Sequence, residues 1–169
     1  MRGAVDGNSS LGLEDGAWPS KGALRLWLRA LTFTNIVEQR VRTRLSTDFE
    51  VTLPRFDLMA ALYDTPEGLS MGEVSCRLMV SNGNVTGIVK RLEREGLVGR
   101  QTRPDDRRSQ LVRLTGAGRA TFAEMAEAHE GWISSMLSSL SGEEVEQLKY
   151  LLGKAKQSVV DSDGKEERR

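Results

Sequence analysis

The most informative segment of the sequence runs from Ser70 to Thr115. It consists of SMGEVSCRLMV (70–80), SNGNVTGIVKRLEREGLV (81–98) and GRQTRPDDRRSQLVRLT (99–115). In the first segment Glu73 follows Ser70 by three residues, the spacing of a capping box at a helix start. The second segment repeats apolar residues at helical spacing and ends at Gly96, a residue type common at helix ends. In the third, two short apolar runs flank turn residues, as in a β-hairpin. This order predicts a mainly α-helical fold with a small β-hairpin wing, a winged helix-turn-helix.

Positive charge is concentrated in the same stretch. The 169 residues carry no net charge, but residues 77–113 hold nine Lys or Arg against four Asp or Glu. A surface that faces duplex DNA requires such an excess. The alternative is a solvated, charged surface without a partner. Taken with the order of elements, the charge favours a protein that binds double-stranded DNA.

The start of the second helix carries small and polar side chains, which suit entry into a major groove. Gly83 and Gly87 each cost roughly 1 kcal/mol of helix propensity relative to alanine. Close approach to another surface would explain that cost, whereas the alternative is a weak surface helix stabilised only by its apolar face. Basic residues further along the helix suit phosphates. The residues expected at DNA from this region are Ser70, Ser81, Asn82, Gly83, Asn84, Thr86, Gly87, Lys90 and Arg91.

The hairpin tip carries Asp106, Arg107 and Arg108. A guanidinium on a narrow hairpin can enter a minor groove, most favourably where A·T-rich sequence narrows it. Asp106 can orient one arginine through a bidentate pair. The alternative for these residues is a simple surface ion pair, worth only tenths of a kcal/mol.

Helical spacing of apolar residues on both sides of this region predicts further helices, and their 3- and 4-residue repeats are typical of helices that pack along one another. A homodimer is therefore expected. The predicted organisation is a flexible N-terminal tail (1–20), a dimerisation helix (21–50), a winged helix-turn-helix lobe (51–115), C-terminal dimerisation helices (116–160) and a disordered tail (161–169).

Several classes of protein are disfavoured by what the sequence lacks. It has no run of 18 apolar residues and no signal-peptide pattern, so we expect a cytoplasmic protein without a membrane partner. One histidine, one cysteine and no nucleotide-binding or nucleophile motif argue against an enzyme, a metal site or a cofactor. Cys76 is expected to be a buried, inert thiol, and redox sensing is the alternative.

The chain resembles the MarR family of bacterial regulators over about residues 24–159. RPDDRRSQLVRLTGAG (103–118) is similar to the family signature DxRxxxVxLTxxG, and VTGIVKRLEREGLVGR (85–100) is similar to its recognition helix and first wing strand. The resemblance implies a homodimer on a pseudo-palindromic operator and repression relieved by a small ligand. It also implies that Ser81, Asn82, Asn84, Thr86 and Arg91 face DNA, with Arg107 or Arg108 in the minor groove.

Within the family, LPRFDLMAALYDTPEGLSMGEVS (53–75) and RLMVSNGNVTGIV (77–89) resemble a subgroup that controls aromatic-acid degradation, some of whose members sense an aromatic coenzyme A thioester. Cys76 and Lys90 depart from it, because Arg and Asp are usual there. Regulation of efflux or stress genes by other phenolic ligands, and a winged-helix interaction module without DNA binding, are the alternatives. Residues expected at an aromatic ligand, with core packing as the alternative, are Phe33, Ile36, Arg40, Arg44, Phe56, Met59, His129, Trp132 and Met136.

Overall fold

The computed structural model describes residues 22–102 and 110–166. By its internal contacts the chain forms two units, residues 1–40 and residues 41–169. Helix α1 (Gly22–Phe49) crosses the boundary between them. In the first unit the described structure is the N-terminal part of α1. All remaining helices and strands belong to the second unit.

The second unit is mainly helical with a small antiparallel sheet, which confirms the predicted fold class. After α1 come α2 (Leu53–Tyr63), β1 (Leu69–Ser70), α3 (Met71–Leu78), α4 (Asn82–Arg94), β2 (Val98–Thr102), β3 (Gln110–Leu114), α5 (Gly116–Met136) and α6 (Gly142–Glu166). Strands β2 and β3 pair antiparallel, as the sequence predicted, with Val98 opposite Leu114 and Thr102 opposite Gln110. Strand β1, which the sequence analysis missed, pairs with the other edge of β3 and gives the order β1-β3-β2.

Side-chain caps explain where the helices begin. At α3 the Glu73 amide donates to Ser70 Oγ at 3.3 Å, and the Ser70 amide donates to the Glu73 carboxylate at 2.7 Å. The equivalent pair at α6 joins Ser141 and Glu144 at 2.7 and 3.2 Å. The capping box expected from the sequence at Ser70 is therefore formed, and a second one is present at Ser141. Each satisfies amides that have no partner within the helix.

The core of the second unit lies where α2, α3, α4 and α5 meet the sheet. Ten large side chains, nine on these elements and Leu45 on the C-terminal part of α1, are less than 2% exposed: Leu45, Leu58, Met59, Leu62, Val74, Val85, Val89, Leu92, Val112 and Met125. Tight burial of one face of each element fixes how α4 and the wing strands sit on α2 and α5. Helix α4 and the wing strands therefore pack on a rigid core.

Two expectations need correction. Cys76 is exposed, not buried, because it lies on the side of α3 opposite the inward-facing Val74. Helix α6 continues to Glu166, so part of the segment expected to be a disordered tail is helical. The expected N-terminal tail (1–20) and residues 167–169 lie outside the described residues.

Candidate nucleic-acid interface

Helix α4 has two contrasting faces. Val85, Val89 and Leu92 are fully buried on one side. The other side exposes six of the residues expected at DNA: Ser81, Gly83, Asn84, Gly87, Lys90 and Arg91. Thr86 is half-buried, and Asn82 is the first helical residue. The packed face therefore holds the helix, while a polar and basic face is left open along its whole length.

The two glycines of α4 are not required by packing within the chain. A Cβ atom built on Gly83 or on Gly87 meets no heavy atom within 4 Å. Both glycines lower helix propensity, and nothing in the described structure presses against them. The space above both glycines is therefore open to a partner that approaches the backbone of the exposed face.

The turn between α3 and α4 is held by local hydrogen bonds. The Ser75 hydroxyl donates to the Val80 carbonyl at 2.5 Å, and Met79 takes a left-handed conformation with φ of 51°. Met79 is 93% exposed. The sequence analysis did not single out this residue. It stands two residues before Ser81, the N-cap of α4.

Arg55 of α2 links the helix support to the C-terminal end of α4. Its side chain is 7% exposed and forms an ion pair with Glu95, the C-cap residue of α4. The same carboxylate accepts a bond from Arg91 at 3.2 Å. Burial lowers the pKa of Arg55, and the charge of Glu95 opposes that shift. One carboxylate therefore anchors both a buried arginine and an arginine expected at DNA.

Arg55 and Glu95 were not predicted from the sequence, although one signal was available for Arg55. Arg55 stands three residues before Leu58 and seven before Leu62, so it shares their helix face. Both leucines are buried. A charged residue on such a stripe needs a partner of opposite charge. The pattern could have located the arginine, but it could not have identified a partner 40 residues away.

The wing strands present further charge. Arg100 on β2 pairs with Glu93 of α4, with Nε 2.8 Å from Oε1, and the Arg113 side chain of β3 donates to Gln101. Asp106, Arg107 and Arg108, expected at the wing tip, lie outside the described residues. Ser70, the remaining residue expected at DNA, is the half-buried cap of α3.

The residues expected at an aromatic ligand fall in both units. In the first, Phe33 and Ile36 are about half exposed, and Arg40 is exposed. In the second, Met59 is fully buried, and Phe56 and Trp132 are 7% and 8% exposed. Their burial favours the core-packing alternative for these three side chains.

His129 lies among the aromatic rings of the second unit. Its ring is 5.0 Å from Phe56 and 6.3 Å from Trp132, and the guanidinium of Arg44 lies 5.7 Å from the Trp132 ring. Burial lowers the pKa of His129 and so favours its neutral form. Met136, on the same helix, is half-buried.

The described residues were expected to hold no metal site and no membrane span. Within 22–102 and 110–166, His, Cys, Asp and Glu side chains do not come together in any group of three or more that could hold a metal ion. No helix in the described part of the chain has the length and apolarity needed to cross a membrane.

Known proteins resemble this chain in sequence. The model of the MarR family matches residues 51–110. The transcriptional regulator YkoM of Bacillus subtilis is 32% identical over 131 residues, which cover 78% of this chain and 82% of YkoM.

Solved structures extend the agreement to the fold. A MarR family transcriptional regulator from Silicibacter pomeroyi is 32% identical, with a TM-score of 0.70, and the match covers 85% of this chain and 99% of that one. The S. aureus MepR–DNA complex, at 24% identity, shares the fold with a TM-score of 0.65 over 78% of this chain and 96% of that one. These relatives are transcriptional regulators and not enzymes. The chain belongs to the MarR family of winged helix-turn-helix transcriptional regulators.

Proposed function

We propose that this regulator acts as a homodimeric repressor whose α4 enters the major groove of a pseudo-palindromic operator and whose wing tip reaches the minor groove. The observation that carries the proposal is the open face of α4. Ser81, Asn84 and Arg91 are exposed on it, and Gly83 and Gly87 have free space above them. Short polar groups at the start of a helix suit base edges, and basic groups further along suit phosphates.

Exposed apolar side chains support the dimer. On α1, Trp27 is 59% and Ile36 49% exposed; on α6, Leu151 is 50% and Leu152 51% exposed. Large apolar side chains left in water at this density mark an interaction surface. We assign residues 21–50 and 116–160 to dimerisation and 51–115 to DNA binding. Because two-fold symmetry places two α4 helices on one duplex, the half-sites should lie about one helical turn apart.

The proposed ligand is a small aromatic acid or its coenzyme A thioester, and the proposed targets are genes for aromatic-compound catabolism. Support comes from the resemblance of residues 53–75 and 77–89 to the subgroup described above. Arg44 and His129, at the edge of the aromatic cluster, are the groups best placed to meet such a ligand in the second unit, together with the half-buried Met136. In the first unit, Phe33, Ile36 and Arg40 are the proposed contacts.

The proposal is tested by measuring binding to the promoter fragments that flank the gene, at several salt concentrations. Neutralisation of phosphates by α4 and the wing predicts a slope of log K against log salt of about −4 to −8. A flat salt response without a specific site would favour an interaction module that has lost DNA binding.

The ligand is tested by release of the operator. Micromolar aromatic acyl-CoA, but not free coenzyme A, should dissociate the complex. If only free phenolic compounds release the operator, the thioester is not the ligand, and regulation of efflux or stress genes is favoured.

A further inference from the structure

The guanidinium of Arg91, on the exposed face of α4, is held at one edge. Its Nε donates to Glu95 Oε1 at 3.2 Å, one turn further along the helix. Among the described residues no acceptor lies on its two terminal nitrogens, and 58% of the side chain is exposed. The other N–H donors of the guanidinium form a planar fork that suits a phosphate. The ion pair with Glu95 therefore leaves Arg91 able to bind DNA.

The carboxylate of Glu95 is itself fixed by Arg55 of α2. Its second oxygen, Oε2, forms the ion pair with the guanidinium of Arg55. Arg55 Nε is buried and has no acceptor in the described part of the chain, so this carboxylate compensates the buried charge. If the carboxylate moved away, that charge would be left unpaired, which is costly. An isolated surface pair holds its partners loosely, whereas this carboxylate cannot follow Arg91 into solvent.

The backbone of Glu95 is fixed by the end of α4. Its amide donates to the Arg91 carbonyl at 3.1 Å, and the Leu97 amide donates to the Leu92 carbonyl at 2.9 Å. Between them Gly96 takes a φ of 71°, so the chain turns away from the helix at this point. Arg55, Glu95 and Arg91 therefore form a continuous series of contacts from the buried side of α2 to the exposed face of α4.

We propose that Glu95 is a positioning residue for DNA binding, which acts through Arg91. Anchored by Arg55, it holds the guanidinium of Arg91 where α4, once it lies in the major groove, meets a phosphate. Ordering a long side chain on binding costs free energy, and a side chain that is already held avoids much of that cost. The inference rests on the proposed function and deepens it, because it gives a role to an acid on a surface that binds a polyanion.

The carboxylate of Glu95 has two effects on DNA affinity, and they depend differently on the DNA sequence. Its negative charge repels the phosphates of any duplex. The fixed position of Arg91 helps only where α4 sits in one register on the DNA, which is the case at the operator. Loss of the carboxylate should therefore weaken binding to the operator while binding to an unrelated duplex stays unchanged or becomes tighter. A loss of folding stability alone would weaken both.

The test measures the full chain and its variants by fluorescence anisotropy, with an operator from the flanking promoter fragments and a scrambled duplex of the same length. Glu95→Gln should weaken operator binding about three- to tenfold and bind the scrambled duplex at least as tightly as the wild type does. Glu93→Gln is the matched control, because Glu93 is an acid of the same helix that pairs with Arg100. It removes the same charge and should not weaken binding to either duplex.

A double-mutant cycle assigns the effect to Arg91. If Glu95 acts through Arg91, Glu95→Gln should change operator affinity less than about twofold in an Arg91→Gln protein. Arg55→Met/Glu95→Met separates position from stability, because it removes the ion pair without leaving a buried charge. It should unfold at the same urea concentration as the wild type and still bind the operator about three- to tenfold more weakly.

Three results would overturn the inference: a Glu95→Gln protein that does not lose operator affinity selectively, an undiminished effect of Glu95→Gln in the Arg91→Gln protein, or wild-type operator affinity in Arg55→Met/Glu95→Met. In each of them the wild type still prefers the operator, so the proposed function stands. A wild type that binds the operator and the scrambled duplex equally would refute the proposed function, and this inference with it.

Discussion

Replacing Gly87 with alanine separates helix stability from DNA recognition. Gly87 lies inside α4, is exposed, and has no heavy atom within 4 Å of an added Cβ. Alanine therefore fits without strain and should stabilise the helix by about 0.5–1 kcal/mol. For a chain of this size that gain corresponds to a rise in Tm of roughly 2–4 °C.

The same methyl group should weaken operator binding if the backbone of α4 lies against the duplex. A loss of about 1.4 kcal/mol, or tenfold in Kd, is expected for a methyl group placed in a close contact. Thermal unfolding and fluorescence anisotropy with a labelled operator measure the two effects on one preparation. Gly131→Ala is the matched control, because Gly131 is also helical, exposed and free of neighbours within 4 Å. It should raise Tm without changing Kd. A Gly87→Ala protein that is more stable but binds the operator with unchanged Kd would show that the backbone of α4 does not lie against DNA.

Three further perturbations test other parts of the account. Glu95→Gln leaves the buried Arg55 without its ion-pair partner and should lower the free energy of unfolding by roughly 2 kcal/mol. The loss is smaller than for a fully buried pair because Glu95 is partly exposed. Urea unfolding of Arg55→Met/Glu95→Met should show that the lost free energy is recovered, and no recovery would contradict the pairing. Arg107→Ala/Arg108→Ala should weaken binding most at operators with A·T-rich flanks. If anisotropy titrations show an equal loss of affinity on all flanking sequences, the two arginines do not contact the minor groove. Burial lowers the pKa of His129 below its ordinary value of 6.5. As the pH falls through 6.5, the unfolded state therefore takes up more protons than the native state. The free energy of unfolding that this difference contributes above pH 6.5 is then lost. Urea unfolding at pH 7.5 and 5.5 should therefore show a larger loss in the wild type than in His129→Gln, and equal losses would exclude this histidine as the cause.

Local patterns in the sequence were sufficient to predict the helices and the hairpin. Helix starts and ends depend on neighbours within a few positions, so they can be predicted from the sequence. Examples are the capping residues Ser70 and Ser141 and the helix end at Gly96. The buried and open faces of α4 followed from the spacing of Val85 and Val89.

Features that depend on distant partners could not be predicted. Strand β1 exists because Leu69 pairs with Val112, 43 positions later in the chain. Arg113 is ordered by Pro66, and Arg55 by Glu95. The expected burial of Cys76 was wrong because α3 is only eight residues long and packs one side inward, around Val74. In each case tertiary contact, and not local propensity, determined the outcome.

Cleavage of operator DNA from the exposed face of α4 tests whether this helix enters the major groove. An iron chelate attached to Asn84→Cys in a Cys76→Ser background places a hydroxyl-radical source on that face, and the same chelate on Lys149→Cys of α6 is the control. If α4 lies in the major groove, cuts from position 84 should be confined to the major groove of each half-site, about one helical turn apart. No cuts are expected from position 149. Cuts that are absent, spread evenly along the duplex, or the same from both positions would contradict it.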